Sequence, residues 1–187
     1  MKSTTPGKQP ALITISEITP NKWTALTRQN LEQLIQIYDL NAYLFTRIIQ
    51  IEAKSKPHSH PVLTLNTRFA EQPNKLLSAF IHEQLHWWST QKKHHMVKAV
   101  KDLKKLFPTL PKDSTYLHLI ICYLEYEAMV HYVEQKEANK VLGDFVQKDK
   151  VYPWINTQVY MKYRAIGNII SKYKLSPLES NKKARTL

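Results

Sequence analysis

Residues 76–88 have the sequence LLSAFIHEQLHWW. The apolar residues recur at the spacing of an α-helix, and Pro73 just upstream suits the first turn of such a helix. Within the stretch, His82, Glu83 and His86 form the pattern H-E-x-x-H. The composition of the chain would produce this pattern by chance only roughly 0.02 times. The stretch therefore predicts a helix that carries a metal site.

The spacing of the two histidines favours a single metal ion. Residues four apart on a helix lie one above the other, so His82 and His86 can both bind one ion. Glu83 lies about 100° around the helix, close enough to contact a water on that ion without being a ligand. The pattern thus predicts zinc-dependent amide hydrolysis, with Glu83 as general base. The alternative is a helix with two half-buried histidines that hydrogen-bond to neighbours, which leaves Glu83 unexplained.

A catalytic zinc of this kind needs a third protein ligand, and the best source is the predicted long helix at 114–139. One face of this helix carries His118, Cys122, Glu125, Met129 and Tyr132. A carboxylate in the middle of so apolar a helix is costly unless it is paired or binds a metal, which favours Glu125. Glu127 is the alternative ligand, although it points to another side and can pair at i+4 with His131.

A family resemblance adds to this prediction. The H-E-x-x-H pattern, followed downstream by Glu125-Tyr126-Glu127-Ala128, resembles the gluzincin branch of the zincin-like metallopeptidases. The resemblance implies a zincin-like fold and a peptidase activity. It also implies one Zn²⁺ per chain, held by His82, His86 and Glu125, with Glu83 as the catalytic residue.

The downstream motif departs from the family at one position. Aligning Ala128 with the Ala of the E-x-x-A-D pattern selects Glu125 as ligand and puts Met129 where the family has Asp. That Asp commonly orients a ligating histidine, so a hydrogen bond to one ligand is in question. His118, on the same helix face, is the substitute that the sequence offers.

The remaining elements predict an α+β, mainly helical fold. Strands are expected at 11–18, 43–51 and 62–66, and helices at 23–38, from 73 onwards, at 96–107 and at 114–139. We expect a zincin-like arrangement in which a small twisted sheet packs on the metal-binding helix and a second helix bears the third ligand. Strand 62–66 is expected at the sheet edge, where backbone pairing can hold an extended peptide; an inner strand is the alternative.

The chain is strongly basic. It contains 27 Lys and Arg against 15 Asp and Glu, a formal charge of +12, which favours acidic substrates, nucleic acid or an anionic surface. In helix 96–107 we expect Val97, Val100, Leu103 and Leu106 to face inward and the lysines to face solvent. Because no base-reading motif or aromatic platform accompanies these lysines, nucleic acid is a permitted but not a favoured partner.

A weaker resemblance follows from the same charge. SprT-like proteases also use H-E-x-x-H and act on DNA-bound proteins, with a third His in place of Glu. Their later His is usually followed by Gly, whereas His94 and His95 are followed here by Met96. This alternative is a basic, nucleic-acid-associated metalloprotease.

Hydrolysis also needs a hydrogen-bond donor for the developing oxyanion, commonly Tyr or His. Tyr152 and His131 are candidates, although aromatic packing is the main expectation for Tyr152. Trp87 and Trp88 are expected to pack the helix end, with a wall of an apolar substrate pocket as the alternative. The single cysteine, Cys122, rules out an intrachain disulfide and is expected to be a small buried side chain.

The 187 residues are expected to form one domain over 11–175, with flexible polar ends at 1–10 and 176–187. No apolar run of about 18 residues and no signal peptide is legible, which predicts a cytoplasmic protein without a membrane span. The expected partner is a peptide or protein substrate.

Three functions fit these observations. The favoured one is a zinc peptidase that uses His82, His86, Glu125 and Glu83. The second is a catalytically inactive zincin-like module that binds a metal or a partner. The third is the nucleic-acid-associated metalloprotease, in which the basic charge is primary.

Overall fold

The structure is a computed structural model that describes residues 12–108, 112–148 and 152–178. The predicted flexible end at 1–10 and most of the one at 176–187 lie outside these residues. Over the described residues the chain is α+β and mainly helical, which confirms the predicted fold class at that level.

The described residues form six α-helices, three strands and one 3-10 turn. The strands are β1 (Thr14–Glu17), β2 (Ile48–Ile51) and β3 (Leu63–Leu65), and the 3-10 turn is Leu40–Tyr43. The helices are α1 (Lys22–Ile37), α2 (Pro73–Gln91), α3 (Lys93–Leu106), α4 (Asp113–Lys148), α5 (Pro153–Met161) and α6 (Tyr163–Lys172). One cluster of buried apolar side chains connects all six helices with β2 and β3.

The sheet is parallel and has the order β1-β2-β3. Thr14 pairs with Ile48 at one end of the first ladder, and Ile49 pairs with Leu63 in the second. Strand β3 is therefore an edge strand, as expected for 62–66. Its outer side is already occupied at Thr64, whose backbone N–H and C=O bond to His58 at 2.8 and 3.0 Å. This pairing limits how a peptide can add to β3.

The strand predicted at 43–51 is much shorter than expected. Only Ile48–Ile51 pair in the sheet, because the residues before them are held by a side chain instead. The buried amide of Gln84 accepts from the backbone N–H of Phe45 and of Thr46, and donates to the carbonyl of Thr46, each at 2.9 Å. Gln84 therefore connects helix α2, which carries the H-E-x-x-H pattern, to the segment that leads into the sheet.

Helix α4 is longer than predicted, and helix α3 buries a different face from the predicted one. Helix α4 extends to Lys148 and kinks at Glu134, where φ is 69°. In α3 the buried face consists of Met96, Ala99 and Leu103, whereas Val97 is 62% exposed. The prediction that Val97 faces inward is therefore wrong, because the buried face begins one residue earlier in the helix.

Candidate metal centre

Helix α2 presents the predicted motif from within the core. Leu77, Phe80, Ile81 and Leu85 are fully buried around it, so the helix is fixed on several sides. His82 and His86 remain partly accessible on one face, and their ring centroids are 5.2 Å apart. The i, i+4 spacing therefore brings the two imidazoles together as expected.

A third histidine completes the group, and it comes from α4. The rings of His82 and His86 lie 6.0 and 5.1 Å from that of His118. One ring nitrogen from each residue lies within 4.8 Å of those of the other two, which is close enough to share a metal ion. We refer to His82, His86 and His118 as the histidine cluster. Sequence reasoning placed His118 on the correct helix face but considered it only as an orienting residue.

Glu125 contacts His82 and Ser78, and its role as a zinc ligand stays a prediction. Its Oε2 atom accepts a hydrogen bond from Nδ1 of His82 at 2.8 Å, and its Oε1 atom accepts one from the Ser78 hydroxyl. Within the described residues it joins a second potential metal group with His82 and Cys122, but not one that contains His86. The structure thus does not bring His82, His86 and Glu125 together as a ligand set.

The arrangement follows from which residues of α2 and α4 lie opposite each other. The two helices run in opposite directions, so contacts pair Ser78 with Glu125, His82 with Cys122 and Glu125, and His86 with His118. Glu125 follows His118 by two turns and therefore lies at the level of Ser78 and His82. His118 is the residue that reaches the level of His86.

Hydrogen bonds fix the ring orientations of two cluster members. Nδ1 of His118 donates to the carbonyl of Ser114 at 2.7 Å, and Nδ1 of His82 donates to Glu125. Nε2 is therefore the ring atom that could bind a metal in each residue. Such partners on the far ring nitrogen are typical of metal-ligating histidines. In His118 the Nε2 atom accepts a hydrogen bond from the Tyr152 hydroxyl at 2.9 Å, which a metal ion would displace.

The protonation states suit a metal as well. Burial, followed by the charges of His82 and His118, lowers the pKa of His86 to about 3. Burial also lowers the pKa of His118. Burial acts to lower the pKa of His82, but hydrogen bonding with Cys122 and Glu125 outweighs it and holds that pKa well above the ordinary value. A metal therefore meets two neutral imidazoles and displaces one proton from His82.

Glu83 combines burial with the absence of a side-chain hydrogen bond among the described residues. It is 7% exposed, and within the described part of the chain its carboxylate accepts no hydrogen bond. Burial raises the pKa of Glu83, and the charge of His82 opposes this effect. A mostly buried carboxylate without hydrogen bonds is costly to ionise, which suits a group that takes up and releases a proton.

Two aromatic groups border the histidine cluster. The Tyr152 hydroxyl donates to Nε2 of His118 at 2.9 Å, and its ring stacks on His118 with centroids 4.5 Å apart. Trp87, next to His86 in the chain, stacks on His60 at 4.3 Å and donates through its indole N–H to the carbonyl of Ser59 at 2.7 Å, and the charge of His60 acts on His86. The loop with His58 and His60 was not expected here; its sequence Pro57-His58-Ser59-His60-Pro61 was the only available signal.

The other candidates lie elsewhere. Glu127 accepts a hydrogen bond from the Tyr163 hydroxyl, and the exposed His131 packs on the ring of Tyr132 with centroids 4.8 Å apart. Trp88 is a core residue, stacked on Phe45 at 4.8 Å. Of the predicted aromatic and donor residues, Tyr152 and Trp87 are therefore the ones that border the cluster.

No protein-family model, curated protein or solved structure matches this chain. None of the helices in the described residues combines the length and apolar character that a membrane crossing requires.

Proposed function

We propose that this chain is a zinc-dependent peptidase in which the histidine cluster holds one Zn²⁺ and Glu83 is the general base. The observation that carries the proposal is the convergence of three imidazoles beside a buried carboxylate that has no hydrogen bond. The gluzincin resemblance supports the reaction, with His118 taking the ligand position that it assigns to Glu125. In this proposal Glu125 orients His82.

The donor set fits zinc. Three imidazoles are a known ligand set of catalytic zinc, and they leave a fourth position for water or substrate. The lowered pKa values of His86 and His118 keep these rings neutral, as ligation requires. When bound, zinc would polarise the substrate carbonyl and lower the pKa of a water molecule in the open position.

Two protein groups have separate roles in the proposed reaction. Glu83 takes the proton of the attacking water and delivers it to the leaving amine, and its raised pKa suits both steps. The hydroxyl of Tyr152 is a hydrogen-bond donor beside His118, where it can stabilise the developing oxyanion. Burial of Glu83 strengthens its interactions because few waters screen it.

One observation also favours the alternative of a nucleic-acid-associated metalloprotease. A third His, rather than Glu, is the ligand pattern that the weaker SprT-like resemblance implies, and the cluster contains His118 in that role. The formal charge of +12 supports the same alternative. A steep loss of DNA affinity between low and physiological salt would support this second candidate, and negligible affinity at low salt would remove it.

The substitution Glu83→Gln tests the proposed function. It retains the shape of the side chain but removes the base, so zinc stays bound and cleavage of labelled casein falls about 10²–10⁴-fold. The matched control is Glu71→Gln, an exposed residue just before α2, which leaves both unchanged. If the zinc-loaded wild type cleaves no peptide, or E83Q cleaves as fast as wild type, the peptidase proposal fails and a metal-binding module replaces it.

A further inference from the structure

A groove adjoins the histidine cluster on one side. It has a volume of about 610 Å³ and lies between the end of α2, one face of α3 and the first turns of α4. This volume falls within the range of about 300–1,000 Å³ that is typical of ligand sites. We call it the lysine groove, after Lys93, Lys101 and Lys104 on its α3 side.

The lysine groove contains residues that are hydrogen-bonded to two histidines of the cluster. On α2 the groove residue Ser89 donates through its hydroxyl to the carbonyl of His86 at 2.7 Å. On α4 the carbonyl of the groove residue Ser114 accepts from Nδ1 of His118 at 2.7 Å. Two groove residues, Ser89 and Ser114, are therefore each hydrogen-bonded to a histidine of the cluster, which places the groove next to His86 and His118.

The chemistry of the groove combines aliphatic contacts with positive charge. Val97 is 62% exposed on the stripe of α3 that lines the groove, and Leu117 lies on the α4 side. Within the described residues Lys93 and Lys101 form no ion pair, whereas Lys104 pairs with the exposed Asp113 at 2.6 Å. Two exposed lysines beside an exposed valine are complementary to carboxylates that flank an aliphatic side chain.

The lining also argues against nucleic acid as the occupant. Single-stranded nucleic acids are commonly held by aromatic side chains on which the bases stack. The described residues that line the groove include no aromatic ring. Lysines over aliphatic side chains suit an acidic polypeptide better than a chain of bases.

We propose that the lysine groove binds an acidic, aliphatic segment of an extended polypeptide substrate and presents the neighbouring peptide bond to the histidine cluster. This inference rests on the proposed peptidase function and names its substrate class. The net charge of +12 would steer such a substrate towards the protein, and the unpaired Lys93 and Lys101 would set its register along α3.

The test measures binding in the zinc-loaded E83Q protein, so that the probe is not cleaved. The probe is a fluorescein-labelled 12-residue peptide of alternating Glu and Leu, compared with the same peptide carrying Gln for Glu. We expect about tenfold tighter binding of the acidic peptide, and a loss of about tenfold in K93E/K101E. The control K98E/K136E changes the net charge equally at exposed lysines outside the groove and retains the binding.

Other outcomes overturn the inference. Equal losses in K93E/K101E and K98E/K136E would mean that net charge alone attracts the peptide. A labelled 12-nucleotide single strand that binds through Lys93 and Lys101, when the acidic peptide does not, would assign the groove to nucleic acid. Groove-dependent peptide binding without cleavage by wild type would retain the binding surface and remove the peptidase. Cleavage of casein that is equal in wild type and K93E/K101E, with unchanged peptide affinity, would remove only the groove.

Discussion

Replacing Glu125 by Gln is expected to weaken zinc binding without abolishing it. In the structure the two carboxylate oxygens of Glu125 accept from His82 Nδ1, at 2.8 Å, and from Ser78. A glutamine amide can still accept from His82 through its oxygen, and its NH₂ group can donate to the Ser78 hydroxyl. The hydrogen-bond geometry therefore survives, and the charge that strengthens the bond to His82 is lost.

The magnitude follows from what each substitution removes. Partners of this kind typically change metal affinity about 10–100-fold. E125Q keeps an acceptor for His82, so we expect a zinc dissociation constant about tenfold higher, equivalent to about 1.4 kcal/mol. E125A leaves both His82 and Ser78 without their acceptor, so we expect about a hundredfold increase, or about 2.8 kcal/mol.

The assay is competition for zinc between the protein and a chromophoric chelator at fixed pH and ionic strength. E127Q is the matched control, because Glu127 lies on the same helix but accepts from Tyr163 and is expected to leave the affinity unchanged. Complete loss of zinc in E125Q would show that Glu125 is itself a ligand, as the gluzincin resemblance implied. Unchanged affinity in E125A would refute the orienting role.

Three further predictions concern other parts of the molecule. Gln84→Met should lower the free energy of unfolding by about 3 kcal/mol, because three buried hydrogen bonds to Phe45 and Thr46 are lost. Urea unfolding measures this loss. The control is Gln91→Met at an exposed position, whose free energy of unfolding is expected within about 0.5 kcal/mol of wild type. Tyr152→Phe should retain zinc but lower kcat about 100-fold, and an unchanged kcat would leave Tyr152 as an aromatic wall only. Hydrogen bonds from Lys105, Lys172 and Tyr173 lower the pKa of Asp102, so its contribution to stability is present above about pH 4, the unfolded value, and is lost as pH falls towards the folded pKa. The melting temperature of Asp102→Asn should accordingly lie below that of wild type at pH 7, with a gap that narrows below pH 4; a gap independent of pH would contradict this.

Local signals were enough to predict helix α2 and the shared face of its two histidines. Its apolar periodicity, the early Pro73 and the i, i+4 histidines all depend on neighbours along the chain, and α2 begins at Pro73. The same holds for the face of α4 that carries His118, Cys122 and Glu125, which does pack against α2. The face of a helix follows from its own periodicity.

The third member of the cluster required information that periodicity does not contain. His118 and Glu125 share a face but differ by two turns in height, and their level relative to His86 depends on how far α4 slides along α2. That offset is set by tertiary packing between the two helices. The family resemblance implied Glu125 as the third ligand, whereas in the structure His118 is the residue on α4 whose ring lies near both His82 and His86.

Two other differences have similar causes. The β-branched and aromatic residues at 43–47 favour a strand, but the backbone groups of Phe45 and Thr46 are hydrogen-bonded to the buried Gln84 amide instead of to a neighbouring strand. Val97 has an apolar side chain at helical spacing, yet the side chains of α3 that are buried in the core are those of Met96, Ala99 and Leu103. An exposed valine between lysines is compatible with a binding surface, and periodicity alone cannot separate it from a core position.

The most direct test of the histidine cluster is zinc stoichiometry in purified wild type, His118→Ala and His131→Ala. His131 is the matched control, because it is an exposed histidine on the same helix and packs on Tyr132 away from the cluster. We predict one zinc per chain in wild type and in H131A, and none in H118A although it remains folded by circular dichroism. One tightly bound zinc in H118A would contradict the account, because the metal would then be held without the third histidine.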